Sequence, residues 1–423
     1  MANARKIALV ALAEVRQSAY SNITLNKFLK DTDLSSADRS LVTAIFYGVL
    51  DRMITLDYVL SQYIKTPLKK VAPIALDALR IALYQIMYMD KIPDSAAVNE
   101  SVKLIKISKQ KHLAGFVNGV LRNILRDGVS LPSGTDINTL SIKYSCPKWI
   151  VKSFIDDYGF DDAIAVLDSS LQTPPVVLRV NTLKTTTTEL KESLSTENIV
   201  ADTIDIDDAL EIVGGIDITR CDAYREGLFH VQDRASQIVV SKLAPSAGDR
   251  VLDICAAPGG KTFTMAQYMK NTGEIVACDL YPQRVDLIKK GANRLDISNI
   301  MAIQNDALLL NDKLGTFDVI LCDVLCSGLG VIRRKPEIKY KDISEYTDIT
   351  SLQSTILENA STYLKENGRI LYSTCTLRKC ENEDVIKRFL DKCPQYELKY
   401  EHTFMPHVDG SDGFYCALLQ KSR

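Results

Sequence analysis

No uncharged apolar stretch in the 423 residues approaches the roughly 18 that a membrane span requires, so nothing reads as a transmembrane helix. A secretory leader pattern is also missing. The opening MANARKIALVALAEVRQ sets Glu14 and Arg16 into an apolar periodicity, as an amphipathic helix does. The ten cysteines contain no CxxC pair, and the four histidines add no ligand-spaced partners, which argues against zinc or another metal centre. With no export signal, a reducing cytoplasm is the expected setting, most thiols acting as small buried hydrophobes. Net charge is nearly absent too: 51 basic against 53 acidic side chains leave −2, which taken whole argues against a polyanionic partner. What is present, 46% hydrophobic and 25% charged residues, excludes disordered and fibrous classes and gives length for several domains.

The charge balance is an average over unlike parts. Residues 1–130 hold 18 basic and 11 acidic side chains, residues 131–155 three and one, residues 156–222 four and 15, and residues 223–423 26 of each. Such asymmetry assigns different partners to different modules. Residues 1–130 read as successive helices, with helical apolar spacing over 7–15, 38–50 and 54–63 and Pro73 near the start of another. Residues 101–126 carry six Lys/Arg and no acidic residue among helix-spaced apolar positions. That face is either a solvated surface or an RNA-binding one, and the surplus over the whole block favours RNA. A Gly/Pro/Ser-rich stretch, 128–136, then leads into a small α+β connector over 131–232. Over 233–423 the runs RVLDICA, GEIVACDL, NIMAIQND, FDVILCD and GRILYSTC alternate with helix-like segments, including one long stretch over 344–366. This pattern predicts an α/β domain with a mostly parallel sheet covered on both faces, and chemistry at the strand C-terminal ends.

Those ends carry the candidate residues. DICAAPGGKT (253–262) closes the first strand and opens a helix, where glycines admit a ligand close to the backbone. A P-loop would need Gly where Cys255 stands, and the GxGxxG dinucleotide fingerprint is missing, so an adenosyl ligand other than NAD is favoured. Asp279 ends the next strand, a place suited to ribose hydroxyls. Asp306 ends the third, as an adenine contact or equally as a helix cap. Asp323 and Cys326 lie in the loop after the fourth strand, and Cys375 ends the fifth. Either thiol alone reads as a buried structural cysteine; their shared placement favours a nucleophilic role.

DICAAPGGKT, the Asp-x-x-Cys-Ser-Gly-x-Gly stretch from Asp323, VIRRKPEIK, YSTCT and the terminal GSDGFYCALLQK together resemble the Nop2/Sun RNA (cytosine-C5) methyltransferases over nearly all of 140–423. The N-terminal block resembles the NusB-type RNA-binding domain fused to one branch of that family, which acts on 16S ribosomal RNA. The resemblance implies three parts: an all-α NusB-like domain (1–130), the α+β connector (131–232), and a Rossmann-like class I methyltransferase domain (233–423). It implies S-adenosyl-L-methionine bound by Cys255, Ala256, Ala257, Pro258, Gly259, Gly260, Lys261, Asp279, Arg284 and Asp306, with Asp323 bordering the same pocket. Cys375 would be the nucleophile at cytosine C6, Cys326 the residue that releases the product, and Asp323 the holder of the cytosine N3/N4 edge. A monomer acting on ribosomal RNA in the cytoplasm is implied, with transfer RNA or a non-catalytic RNA-binding role as alternatives. One departure stands out: Leu325 precedes Cys326 where the family has Pro. Arg333, Arg334, Lys335, Lys339 and Lys341, which follow, are expected to hold RNA phosphates or to form a solvated loop.

Overall fold

In the computed structural model, residues 4–16, 21–30, 32, 34–214 and 217–421 are described. They form two compact units, one of residues 1–172 with 332–341, the other of residues 173–331 with 342–423. Among the described residues no helix is long and apolar enough to cross a membrane.

The first unit is helical: α1 (Ala4–Val15), α2 (Ser21–Lys30), α3 (Ser36–Tyr63), α4 (Pro73–Tyr88), α5 (Asp94–Lys106), α6 (Ala114–Asp127), α7 (Ile137–Lys143), α8 (Lys148–Tyr158) and α9 (Phe160–Ser170). Apolar stripes from α1, α3, α4, α5 and α6 close on one core. The two helical runs expected over 38–63 are one 28-residue helix, α3, because no breaker separates them. Ser35 caps it by accepting from the Asp38 amide. The single basic run of 101–126 is instead two helices, parted where the Ser108 hydroxyl accepts from the Gln110 amide. Gly48 lets α3 approach α4, since a Cβ there would fall 1.9 Å from the Tyr84 ring. Asp77, buried in α4, accepts from Arg16 at 2.6 Å and Arg80 at 3.2 Å, and Arg80 forks onto Asp57. A buried carboxylate in an apolar bundle needs such partners.

The segment Ile332–Lys341 belongs to this helical unit. Lys339 is fully buried, and its ammonium donates to the Asp51 carboxylate at 2.7 Å and carbonyl at 2.8 Å. Tyr340 donates to the Leu50 carbonyl, and Glu337 accepts from the Ser21 hydroxyl. Lys339 is therefore not available to RNA phosphates, contrary to expectation. Its counterion lies 288 residues away in sequence, beyond the reach of local reading.

The second unit opens with a four-stranded antiparallel sheet, β1 (Val176–Val180), β2 (Ala201–Thr203), β3 (Ala209–Ile212) and β4 (Phe229–Val231), in the order β2-β3-β1-β4. Helix α10 (Thr187–Thr196) starts with a capping box between Thr186 and Glu189, and a short α11 (Asp222–Arg225) precedes β4. After α12 (Arg234–Leu243) comes the larger sheet. Its elements are β5 (Arg250–Asp253), α13 (Gly260–Tyr268), β6 (Glu274–Asp279), α14 (Pro282–Leu295), β7 (Ile300–Gln304), β8 (Phe317–Asp323), α15 (Ile349–Thr362), β9 (Leu364–Thr374), α16 (Glu383–Lys392), β10 (Tyr396–Phe404), α17 (Pro406–Asp409) and β11 (Phe414–Lys421).

The order is β10-β11-β9-β8-β5-β6-β7, with β5 to β9 parallel and β11 antiparallel to both its neighbours. The sheet is thus mixed, a parallel body with an antiparallel edge. Strand alternation sends Val251, Ile275, Val319 and Leu371 to the core under α12, α13 and α14, and Leu252, Val276, Ile320 and Ile370 to the core under α15 and α16. The long helix expected over 344–366 is shorter: a 3-10 turn occupies Ile343–Tyr346, and β9 already begins at Leu364. Strand order reverses at β5, and in such sheets ligands bind at the C-terminal ends of the strands flanking that point, here β5 and β8.

Candidate functional site

Two groups of residues converge on those ends. The first surrounds the loop after β5. Asp253, 1% exposed, accepts from the Thr262 hydroxyl at 2.6 Å, and burial pushes its carboxyl up to about 7 despite that bond. Residues 254–259 then turn back, with Gly259 at φ 110° leading into α13. A side chain at Gly259 would be strained by that φ and would strike the Phe263 ring at 2.4 Å. Burial pushes the Cys255 thiol up. The Ala256 amide donates to the Cys278 carbonyl at 2.7 Å, Ala257 is buried, and Pro258 is exposed.

At the end of β6, Asp279 accepts from the Tyr281 amide and lies 3.5 Å from the Arg284 guanidinium. Arg284 also donates to the Ala257 carbonyl at 2.8 Å, tying α14 to the loop. At the end of β7, the Asn305 amide donates to the Asp279 carbonyl, and Asp306 accepts from the Leu308 amide at 2.9 Å. One Asp306 oxygen therefore does cap the following turn.

The second group gathers at β8 and β9. Asp323 accepts from the Lys261 ammonium at 2.7 Å and from the Ser373 hydroxyl at 2.8 Å. Burial alone would lower the Lys261 pKa, but the charge of Asp323 and the hydrogen bond to it raise it. Its ammonium also stands 4.7 Å from the centre of the Phe414 ring. Lys261 thus turns away from the loop over 254–259 and toward the second group. The Cys326 and Cys375 sulfurs lie 3.1 Å apart. Contact with Cys375, burial and nearby negative charge push the Cys326 thiol well above its ordinary range, so it keeps its proton at neutral pH.

Backbone contacts hold the two cysteine loops together. The Val324 amide donates to the Ser373 carbonyl, and the Gly330 amide donates to the Cys375 carbonyl at 3.0 Å. Gly413 donates to the Gly330 carbonyl at 2.9 Å, and a Cβ on Gly330 would fall 1.9 Å from the Gly413 oxygen. Gly413, the second glycine of the terminal GSDGF run, is therefore part of the scaffold of the thiol pair.

Sequence reading brought Cys255 to Gly260, Asp279, Arg284, Asp306, Asp323, Cys326 and Cys375 to this end of the sheet. It missed Ser373 and the buried support of Gln353, Glu381 and Asn382. Asn382 accepts from the Thr374 hydroxyl and donates to the Thr376 carbonyl, fixing the turn around Cys375. The one available signal was the acidic-amide pair Glu381-Asn382 six residues past Cys375, within a charged run that reads as a solvated helix start. Among the described residues no cluster of His, Cys, Asp and Glu could hold a metal ion, and none of the ten cysteines is in a disulfide.

Comparison with known proteins accords with this architecture. The profile of the NusB family matches residues 2–126, that of an RsmF/B-like ferredoxin-like domain residues 146–219, and that of the 16S rRNA methyltransferase RsmB/F residues 240–420. A Bacillus subtilis protein carried under the name "Probable ribosomal RNA small subunit methyltransferase B" is 38% identical over 99% of this chain and 98% of its own. The Pasteurella multocida ribosomal RNA small subunit methyltransferase B is 32% identical over 94% and 92%. Among solved structures, PH0851 superposes with a TM-score of 0.87 at 25% identity, over 100% of this chain and 99% of that one. A methyltransferase homolog from Pyrococcus horikoshii gives 0.61 at 26% identity, over 68% and 100%. With a NusB domain, a ferredoxin-like connector and a Rossmann-like domain in one chain, and 38% identity along its length, this protein belongs to the RsmB/F family of 16S rRNA methyltransferases.

Proposed function

We propose that the chain transfers a methyl group from S-adenosyl-L-methionine to C5 of a cytosine in 16S ribosomal RNA, through a covalent adduct on Cys375. The carrying observation is the pair of thiols, Cys326 and Cys375, 3.1 Å apart beside Asp323 at the sheet's C-terminal end. The names of the relatives support the class of substrate.

The donor set fits an adenosyl ligand. Asp279 and Asp306 present carboxylates on neighbouring strand ends, and the buried Asn305 amide nitrogen beside them has no hydrogen-bond partner among the described residues. These residues, with the loop over 255–260 held by Arg284, would bind the cofactor. When bound, it supplies an electrophilic methyl group.

Cytosine C5 is a poor nucleophile until a group adds at C6. Cys375 forms the Sγ–C6 bond as its thiol proton passes to N3, the C5=C6 double bond opens, and C5 gains enamine character. Cys326 holds its proton during this attack. Asp323, oriented by Lys261 and Ser373, accepts a hydrogen bond from the N4 amino group, and from N3 once that nitrogen has gained a proton, and so stabilises the activated ring. After methylation, C5 gives its proton to solvent, the C5=C6 bond re-forms as the Sγ–C6 bond breaks, the N3 proton returns to the Cys375 sulfur, and Cys326 acts in this release. The base must be unstacked to reach the thiols.

The test is methyl transfer from labelled cofactor to 16S transcripts, with bisulfite sequencing of the product. Wild type should protect one cytosine, and Cys375→Ala should protect none. Full activity in Cys375→Ala, or methylation of transfer RNA in place of 16S RNA, refutes the assignment.

A further inference from the structure

The carboxylate of Glu381 is fully buried, a placement that needs hydrogen-bond partners to offset the loss of water. One oxygen accepts from the Ser327 amide at 2.8 Å and from the Gln353 side-chain nitrogen at 3.1 Å. The other accepts from Arg378 at 3.2 Å. That same Gln353 nitrogen donates to the Leu325 carbonyl at 3.0 Å. Leu325 and Ser327 flank Cys326, so both sides of the Cys326 loop are tied, directly or through Gln353, to one buried charge. Glu381 itself follows Cys375 by six residues, and its carbonyl accepts from Tyr372 on β9 at 2.6 Å. One side chain therefore spans the two loops that carry the thiols.

The Ser327 hydroxyl meets the Thr376 hydroxyl at 2.8 Å, a second link between the loops. A hydroxyl pair is neutral and rotates freely, whereas a buried carboxylate with three donors fixes direction as well as distance. Where Pro would restrict the backbone before the second cysteine, this chain has Leu325, 46% exposed, and its loop is fixed from outside by Gln353 and Glu381.

We infer that Glu381, with Gln353 as its relay, is a positioning residue that holds the Cys326 thiol against Cys375 and thereby sets the rate of product release. This rests on the assignment of Cys375 as nucleophile and Cys326 as the releasing residue. Glu381 acts through Cys326 and touches no substrate. Its loss should leave formation of the Cys375 adduct nearly intact and slow its breakdown.

The experiment uses the full chain, a 16S transcript and S-adenosyl-L-methionine, with adduct followed on denaturing gels in single-turnover mode. Cys326→Ala tests the underlying assignment and should trap adduct. Glu381→Ala should trap it too, with release slowed roughly 10- to 100-fold, the scale of a lost charge-assisted hydrogen bond. Glu381→Gln keeps an oxygen for Ser327 but loses the charge facing Arg378, so it should fall between. Gln353→Ala, which spares the Glu381–Ser327 bond, should also slow release and guards against misfolding of Glu381→Ala. Both Glu381 variants should shift the pH dependence of release downward, because a negative charge beside the Cys326 thiol is gone. Trapping in Cys326→Ala with wild-type release in the Glu381 and Gln353 variants overturns the inference alone. Equal loss of adduct formation and release, with an unmoved pH profile, overturns it in favour of a purely structural role. Normal release in Cys326→Ala overturns the assignment beneath it as well.

Discussion

Removing the Asp51 carboxylate should unfold the helical unit more readily than removing the ammonium it faces. Lys339 is 0% exposed, and two of its donors end on Asp51 at 2.7 and 2.8 Å. Asp51→Ala leaves that charge uncompensated in a dry site, at a cost of about 3–5 kcal/mol. Lys339→Met keeps most of the stem volume and removes the charge. The remaining carboxylate has an 18% exposed side chain and Arg52 at 3.7 Å, so that loss should be about 1–2 kcal/mol. The double variant should be less destabilised than the sum of the two by about 2 kcal/mol, since neither charge is then stranded. Urea unfolding can be followed at Trp149 in α8, the sole tryptophan, which reports on this unit. At a slope of about 2 kcal/mol per molar urea, Asp51→Ala should lower the midpoint by roughly 2 M. A fall below about 1 kcal/mol, or strict additivity, refutes the buried-pair account. RNA binding gives a second check. If Lys339 held a phosphate, Lys339→Met would reduce the salt slope by about 0.7–0.9; the structure requires no change.

Two further outcomes follow from close backbone packing and from burial. Gly330→Ala forces a Cβ to within 1.9 Å of the Gly413 oxygen and 2.9 Å of the Cys375 oxygen, so the loops must part. Methyl transfer should fall at least tenfold and stability by about 1–3 kcal/mol, and a calorimetric scan showing an unchanged transition with full activity would contradict this. Asp253 titrates near 7 in the folded chain, above its unfolded value of about 3.9. The folded state therefore binds the proton more tightly, and stability drains away as pH rises from about 4 to 7. Asp253→Asn keeps an acceptor for Thr262 and should be more stable than wild type at pH 8, by up to about 4 kcal/mol, with the gap closing near pH 4. A gap that widens on acidification, in melts without cofactor, counts against it.

How much of this could be read from the chain depends on the range of the forces involved. The parallel strands announced themselves as apolar runs, and the strand-end rule then placed Asp253, Asp279, Asp306, Asp323 and Cys375 together. The antiparallel hairpin of β10 and β11 was less visible, because β10 alternates charged and apolar residues and lies at the sheet edge. Lys339 misled because a run of basic residues carries no record of which one is buried; the deciding group is Asp51. Gln353 left no signal, and Glu381 only the pair it forms with Asn382, for the same reason. Their work is to satisfy polar atoms of loops that come together only in the tertiary structure.

The discontinuity of the helical unit has a consequence for synthesis. Ten of its residues, Ile332–Lys341, are encoded about 160 residues after the rest of it ends at Gln172. At roughly 5–20 residues per second, a ribosome needs about 8–32 s to cover that interval, far longer than helices take to form. During that time Asp51 waits without its lysine, and the Ser21 hydroxyl without Glu337. The N-terminal helices are therefore without this ten-residue segment until strands β5 to β8 have been synthesised. The unit made first is completed only after most of the parallel sheet exists, which couples the quality of one to the successful production of the other.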